Sequence, residues 1–318
     1  MNALVVGGGS WGTAFARLLA DRGHAVTLAT HRAEDAREIA ATGRNPRYLT
    51  RVALDDVAAV PFAPGSDADA DLVVLAVPSR AFADVVGSLR GDAPVLSLTK
   101  GLDPSTGDRL STLLRDRPVA VLSGPNMADE VASGLPGAAV IASEDEALAR
   151  RLQEAVNSGV FRVYVNTDLI GVELCAAAKN VIALAAGGVD GLGLGDNAKA
   201  ALITRGLVEM SRLGEAMGAD PDTFAGLAGM GDLIVTCWHP SGRNRRAGEL
   251  IARGASAEEA SAEIGQVIEG LTTAPVLRRL SRRLEIELPI TEGVCAVLDG
   301  LPLDGLVADL MGRRPTEE

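Results

Sequence analysis

A single lysine interrupts the apolar run Cys175-Ala176-Ala177-Ala178-Lys179-Asn180-Val181. At helical spacings of three and four its neighbours are Cys175, Ala176, Ile182 and Ala183, all small or apolar. An amine so surrounded loses water on several sides, and desolvation lowers an ammonium's pKa toward the range useful for proton transfer. A lysine whose stem covers apolar surface while its head reaches solvent gives the same pattern, and the helix alone does not separate the two. The second chemical feature lies at the other end of the chain. Gly7-x-Gly9-x-x-Gly12 follows a strand-like Ala3-Val6 and opens a helical stretch, Trp11 to Arg22. In that context glycines admit a dinucleotide pyrophosphate onto a helix N-terminus, here near Ser10 and Trp11. Together the two features suggest hydride transfer assisted by a lysine acid/base.

Further candidates sit where such a reaction would need them. The second strand ends Leu28-Ala29-Thr30-His31-Arg32. It lacks the carboxylate that NAD-selective sites place there for the ribose hydroxyls. The basic pair His31 and Arg32 suits a 2′-phosphate, so NADPH is the expected cofactor and NADH the alternative. Lys100, in Thr99-Lys100-Gly101, and Ser123-Gly124-Pro125-Asn126 both fall at C-terminal strand ends, the edge where parallel sheets bind ligands. Asp232, in Gly229-Met230-Gly231-Asp232, is expected in a flexible turn; it could orient a lysine or simply form the turn. Arg243-Asn244-Arg245-Arg246 offers forked donors suited to phosphate, or is a solvated surface run. The histidines His24, His31 and His239 have no metal-ligand spacing, and Cys237-Trp238-His239 lacks further ligands nearby, so no metal is expected.

The elements that must hold these residues divide the chain in two. Its 318 residues exceed one average domain. Hydrophobic residues at 47% allow a core, and aromatics at 3% leave its packing to Ala, Val, Leu and Gly. The net charge of -12 argues against duplex nucleic acid or an anionic membrane as partner, though not against a small phosphorylated ligand. Three scattered cysteines read as reduced thiols of a cytoplasmic protein, and no leader pattern precedes the first strand. Strands are expected at Ala3-Val6, Val26-Ala29, Leu72-Val77, Val95-Thr99, Val119-Ser123, Ala138-Ala142 and Arg162-Val165, with helices between, including Thr106-Leu114. Most are continuously apolar, as in a helix-covered parallel sheet. The acidic run from Pro64 to Asp71 reads as a solvated connection. From about Leu169 helical periodicity takes over. Leu169 to Val189 is judged too polar to span a membrane and fits a buried helix. A helix over Asn197-Met217 should be capped by Asp196 or Asn197 and ended by Gly218. Ser256 and Glu259 have capping-box spacing, and Thr273 before Ala274-Pro275 should open another helix. The expected division is residues 1–168, a dinucleotide-binding domain, and 169–318, an all-helical substrate domain.

These segments together resemble the bacterial-type NAD(P)-dependent glycerol-3-phosphate dehydrogenases. The matching strings are Gly9-Ser10-Trp11-Gly12-Thr13-Ala14, Thr99-Lys100-Gly101-Leu102, Ser123-Gly124-Pro125, Lys179-Asn180-Val181-Ile182-Ala183, Gly191 to Gly206, Gly229-Met230-Gly231-Asp232-Leu233, Arg243-Asn244-Arg245-Arg246 and Gly265-Gln266-Val267-Ile268-Glu269-Gly270. The resemblance implies an α/β Rossmann domain followed by an all-α domain, 6-phosphogluconate-dehydrogenase-like, with the active site between them. It implies reversible reduction of dihydroxyacetone phosphate to sn-glycerol 3-phosphate, a phospholipid precursor, by a cytoplasmic homodimer. It makes Lys179 the proton donor and acceptor, aided by Lys100 and Asp232. Substrate contacts fall on Lys100, Gly124, Asn126, Lys179, Asp232, Gly242, Arg243 and Asn244. Cofactor contacts fall on Gly7, Gly9, Ser10, Trp11, Gly12, His31, Arg32, Lys100, Ala128, Arg243, Val267 and Glu269. The chain departs from the family pattern in several places. Asn126-Met127 stands for a hydroxyl residue and Phe, and Gly242 for Ser, with Ser241 a candidate substitute. Cys175-Ala176 replaces Gly-Gly, and Gly8 replaces Ala, a change expected to be trivial. The alternatives are a two-domain reductase of another small hydroxy or keto acid, and a nucleotide sensor with a degraded active site.

Overall fold

The computed structural model describes residues 1–114 and 116–303. Strands β1 (Asn2–Val6), β2 (Ala25–Thr30), β3 (Val57–Pro61), β4 (Leu72–Leu75), β5 (Val95–Ser97), β6 (Val119–Ser123), β7 (Gly137–Ala142) and β8 (Phe161–Asn166) form one sheet. Its order is β3-β2-β1-β4-β5-β6-β7-β8, parallel except where β6 meets β7. Alternate residues enter opposite cores. Ala3 and Val5 pack with Val26, Leu28, Leu72 and Val74, while Leu4 and Val6 pack with Ala29, Val73 and Leu75. Burial on both faces is why these strands read as unbroken apolar runs. The chain leaves β1 for β2 and β3 on one side, then returns to β4 on the other. Such a reversal opens a crevice at the C-terminal strand ends, the usual ligand position in open α/β sheets.

The helices are α1 (Ser10–Asp21), α2 (Ala33–Thr42), α3 (Ser79–Ser88), α4 (Ala128–Ala132), α5 (Glu146–Val156), α6 (Leu169–Gly191), α7 (Gly195–Ala216), α8 (Pro221–Ala225), α9 (Asp232–Trp238), α10 (Arg243–Ala252), α11 (Ala257–Ile264), α12 (Glu269–Leu284) and α13 (Pro289–Leu298). Two compact units result: Met1–Ala176 with Gly218–Asp232, and Ala177–Met217 with the chain from Leu233 onward. The sheet lies in the first; the second is all helical among the described residues. This grouping by contacts divides within α6, and α8 groups with the sheet. The reason is local: Asp168 accepts hydrogen bonds from Thr223 Oγ1 at 2.7 Å and from the Asp220 N–H at 3.0 Å. Residues 304–318 lie outside the described residues.

Several local expectations need correction. Strand β3 was not expected; it is a largely exposed edge strand whose short apolar run, Val57 to Val60, ends in proline. The stretch 106–114 holds only a 3₁₀ turn, Leu110–Leu113. The run 64–71 is not wholly solvated. Asp67 is buried, accepting hydrogen bonds from the Arg90 and Gly91 N–H groups and from Arg117. Helix α7 begins at Gly195 without a side-chain cap. Pro275 lies inside α12, because the helix starts earlier, where Asn244 Oδ1 accepts the Gly270 N–H at 2.8 Å. The capping box at Ser256 and Glu259 forms. Helix α6 is long and apolar enough to span a membrane, against expectation, with a mean hydropathy of 1.7; 89% of that window is buried within the protein, which fits a core helix.

Candidate functional site

The glycine loop joins β1 to α1, and its glycines answer different needs. Gly7 has φ +114°, and a Cβ there would run into the Ala76 carbonyl. A Cβ at Gly12 would overlap the Gly7 carbonyl. Those two let the turn close and the helix pack. Gly9 is different, because a Cβ there would meet nothing within 4 Å. It is also the N-cap of α1, which has no side-chain cap and no acidic residue in its first turn. Open space above uncapped N–H groups at the positive end of a helix fits a dinucleotide pyrophosphate. Trp11 lies on Phe15 and Phe161, with its buried Nε1 unpartnered. Gly8 is less trivial than expected, since a Cβ there would stand 2.9 Å from Thr30 Cγ2. At the end of β2, His31 and Arg32 are both exposed, and Arg32 lies 3.7 Å from Glu34.

At the far side of the same edge the structure assembles four of the expected residues. Lys100 follows β5, and Gly124 follows β6 with φ +142°. A Cβ on Gly124 would stand 2.8 Å from Ala139 Cα, so the close approach requires glycine. Lys100 Nζ donates to Asp232 Oδ2 at 2.8 Å and Asn126 Oδ1 at 2.9 Å, with the Gly124 carbonyl at 3.4 Å. Ser123 Oγ donates to the same Asp232 oxygen at 3.2 Å. Asp232 is 2% exposed. It is not on a flexible turn: Leu227–Gly231 forms a π-helical turn running into α9, of which Asp232 is the first residue. Asn126 Nδ2 is buried and unpartnered, a spare donor beside a cation and a carboxylate. Ala128 begins α4 close behind it in sequence.

In the helical unit Lys179 is only 4% exposed, and Cys175, Ala176, Ile182 and Ala183 are buried with it. Of the two sequence readings, the buried amine is the one observed. Its Nζ donates to Thr236 Oγ1 at 2.9 Å. The next residue, Asn180, accepts from Asn244 Nδ2 at 2.9 Å, which ties α6 to the first turn of α10. Arg243 Nη1 donates to the Val267 carbonyl at 2.8 Å, just ahead of Glu269 at the start of α12. The basic run is therefore not one patch. Arg243 and Asn244 lie with Val267 and Gly270, whereas Arg245 pairs with Asp190 at 2.6 Å and Arg246 lies 3.8 Å from Glu263. Gly242 caps α10, and a Cβ there would stand 3.0 Å from the Thr236 carbonyl. The proposed substitute, Ser241, has its hydroxyl 2.8 Å from His239 Nδ1.

Sequence reasoning missed Thr236 and gave Asn180 no role. Thr236 carried a readable signal: it lies four residues after Asp232, on the same helix face. Among the described residues no group of three His, Cys, Asp or Glu is placed to hold a metal.

The chain is similar to known proteins along its length. Residues 2–149 match the family described as NAD-dependent glycerol-3-phosphate dehydrogenase N-terminus, and residues 168–303 match its C-terminus. A glycerol-3-phosphate dehydrogenase [NAD(P)+] of Chlorobium limicola is 45% identical, covering 100% of this chain and 99% of that one. One from Nocardia farcinica is 47% identical, covering 98% of each. The crystal structure of glycerol-3-phosphate dehydrogenase (gpsA) from Coxiella burnetii superposes with a TM-score of 0.94 at 38% identity, covering 98% of this chain and 99% of that one.

Proposed function

The chain belongs to the NAD-dependent glycerol-3-phosphate dehydrogenase family, and from that premise we propose how its own residues carry out the reaction. It is an NAD(P)-dependent oxidoreductase that reduces dihydroxyacetone phosphate reversibly to sn-glycerol 3-phosphate. The loop after β1 and the N-terminus of α1 hold the dinucleotide, and His31 with Arg32 favours the 2′-phosphate of NADPH. When bound, the reduced nicotinamide supplies the hydride that reaches C2 of the substrate. Lys179 gives its proton to the C2 oxygen as negative charge develops there, and in the reverse direction the same nitrogen takes the proton back. Lys100, held by Asp232 and Asn126, balances charge at the substrate. Arg243 and Asn244 take its phosphate, which a non-phosphorylated keto acid would not offer. The proposed division of labour is a dinucleotide-binding sheet unit and a substrate-binding helical unit. Homodimerisation, a cytoplasmic location and supply of phospholipid precursor complete the reading.

The observation that carries the mechanism is Lys179: a 4%-exposed amine in an apolar helix, with Thr236 Oγ1 among its partners at 2.9 Å. The test follows NADPH absorbance on adding dihydroxyacetone phosphate, with a non-phosphorylated ketone as comparison. Oxidation with the phosphate ester alone is expected; tight NADPH binding without oxidation would indicate a sensor. Lys179→Ala should lose about two to four orders of magnitude in turnover, the span of general acid/base catalysis, while still binding NADPH. Near-normal turnover would remove Lys179 from its role.

A further inference from the structure

The glycine loop is held by a residue that no motif singles out. Asn45, between α2 and β3, is 1% exposed. Its Nδ2 donates to the Gly8 carbonyl at 2.9 Å and to Thr13 Oγ1 at 2.9 Å. Its Oδ1 accepts the Arg47 N–H at 3.0 Å and the Tyr48 N–H at 3.1 Å. Exchanging the amide oxygen and nitrogen would set oxygen against the Gly8 carbonyl and an NH₂ against the Arg47 and Tyr48 N–H groups, so those three partners fix the orientation. Thr13, fully buried in the first turns of α1, closes the triangle with its hydroxyl 3.5 Å from the same Gly8 carbonyl.

In a trans peptide the carbonyl and the following N–H point in opposite directions. Holding the Gly8 carbonyl toward Asn45 therefore turns the Gly9 N–H away from Asn45. Gly9 caps α1 and has open space around it. Glycine has little intrinsic preference among backbone conformations, so a Gly7-Gly8-Gly9 run must be fixed from outside. We propose that Asn45 is a positioning residue for dinucleotide binding: it clamps the Gly8–Gly9 peptide so that the Gly9 N–H joins the N-terminal N–H groups of α1 in holding the pyrophosphate. The inference rests on the dinucleotide reading of the loop. It adds a selectivity statement, because the pyrophosphate is common to both cofactors. The clamp serves NADH and NADPH alike, whereas Arg32 acts on the 2′-phosphate.

The experiment measures dissociation constants of NADPH and NADH, turnover at saturating cofactor and melting temperature for the wild type, Asn45→Asp, Asn45→Ala and Thr13→Val. Asn45→Asp keeps the acceptor for Arg47 and Tyr48 but faces the Gly8 carbonyl with an oxygen; Asn45→Ala removes the amide without adding charge. Both should weaken the two cofactors by the same factor, about tenfold to a hundredfold, the range for a hydrogen bond to a charged group. Turnover at saturation and KM for dihydroxyacetone phosphate should stay within about threefold, the low end of what one hydrogen bond is worth. Thr13→Val, which removes one arm of the triangle, should weaken both cofactors by a smaller common factor and keeps the test open should Asn45→Ala not fold. Lower melting temperature with unchanged dissociation constants overturns the proposal. So does weakening by Asn45→Asp alone, which is charge repulsion, or loss of NADPH binding alone. If the wild type binds neither cofactor, the dinucleotide reading itself fails, a result distinct from these.

Discussion

At the scale of single residues, the proposed cofactor choice is a contest between charges at the end of β2. Arg32 Nη1 lies 3.7 Å from Glu34 Oε1, and Arg47 Nη2 lies 3.3 Å from the same oxygen. Arg32 is half exposed, and surface pairs of this kind are worth about 0–1 kcal/mol. A guanidinium on a phosphate makes charge-assisted, often paired hydrogen bonds that are stronger. The 2′-phosphate should therefore win Arg32 from Glu34 at modest cost. Arg32→Ala is expected to lower kcat/KM for NADPH by about tenfold or more and leave NADH nearly unchanged. Glu34→Gln should improve NADPH by no more than about fivefold, the ceiling that a surface pair sets. An unaltered NADPH-to-NADH ratio in both variants would exclude this site from cofactor selection. The lysine at 179 was legible because its isolation among apolar residues is a local property. Asn45 was not, because its partners Gly8 and Thr13 lie 37 and 32 residues away in sequence and only folding brings them near; Thr236 shows its spacing from Asp232 but not its partner Lys179, 57 residues away.

At the scale of elements, the residues proposed to take the substrate phosphate depend on how closely α10 lies against α6. A Cβ on Gly187 would overlap the Arg245 carbonyl, and one on Gly248 would overlap the Leu184 carbonyl. Gly191 is similar, with a Cβ position 2.6 Å from Ala252 Cβ and 2.7 Å from the Glu249 carbonyl. Backbone thus meets backbone along this seam. Asp190 adds a charged latch, receiving Arg245 at 2.6 Å and Lys199 at 2.8 Å, with Lys199 also 4.9 Å from the Trp238 ring centroid. Gly248→Ala must push α10 outward and with it Arg243 and Asn244 at its first turn. Overpacking of this kind costs about 1–3 kcal/mol, so a lower melting temperature should accompany a KM for dihydroxyacetone phosphate raised about tenfold or more. The control is Gly87→Ala in α3, where a Cβ meets nothing within 4 Å; it should be neutral or stabilise by about 0.5–1 kcal/mol. Equal KM in the two variants would show that the seam does not govern the site. The sequence marked α6 but neither α10 nor the seam, since a glycine in a helix signals only that something approaches it. The same limit explains Pro275: the contact of Asn244 with Gly270 starts α12 a turn earlier than local preference suggests.

At the scale of the whole molecule, the alternation of buried strands and helices was legible because burial on both faces leaves a direct mark on composition. The grouping into units leaves no such mark, because no linker accompanies it and α6 runs through it. Each unit also buries a carboxylate with opposite consequences for pH. In the helical unit, burial is the leading influence on Glu209 and raises its pKa above the ordinary 4.5, despite hydrogen bonds from Thr291 and the Ile290 N–H. In the sheet unit, burial pushes Asp67 upward too, but the Arg90 and Gly91 N–H groups and Arg117 outweigh it, leaving its pKa below the ordinary 3.8. The signs then differ. Folded Glu209 holds its proton more tightly than the unfolded chain does, so its contribution is complete below pH 4.5 and is lost as pH rises through its folded pKa. Folded Asp67 holds its proton less tightly, so its contribution is complete above pH 3.8 and is lost as pH falls. Each unit of displacement is worth about 1.4 kcal/mol. Melting temperatures of the wild type, Glu209→Gln and Asp67→Asn across pH should therefore diverge in opposite directions. Relative to Glu209→Gln, the wild type should lose ground as pH rises above 4.5. Relative to Asp67→Asn, it should lose ground as pH falls below 3.8. A wild-type advantage over Glu209→Gln that grows with rising pH would mean that the hydrogen bonds from Thr291 and Ile290 outweigh burial at that site.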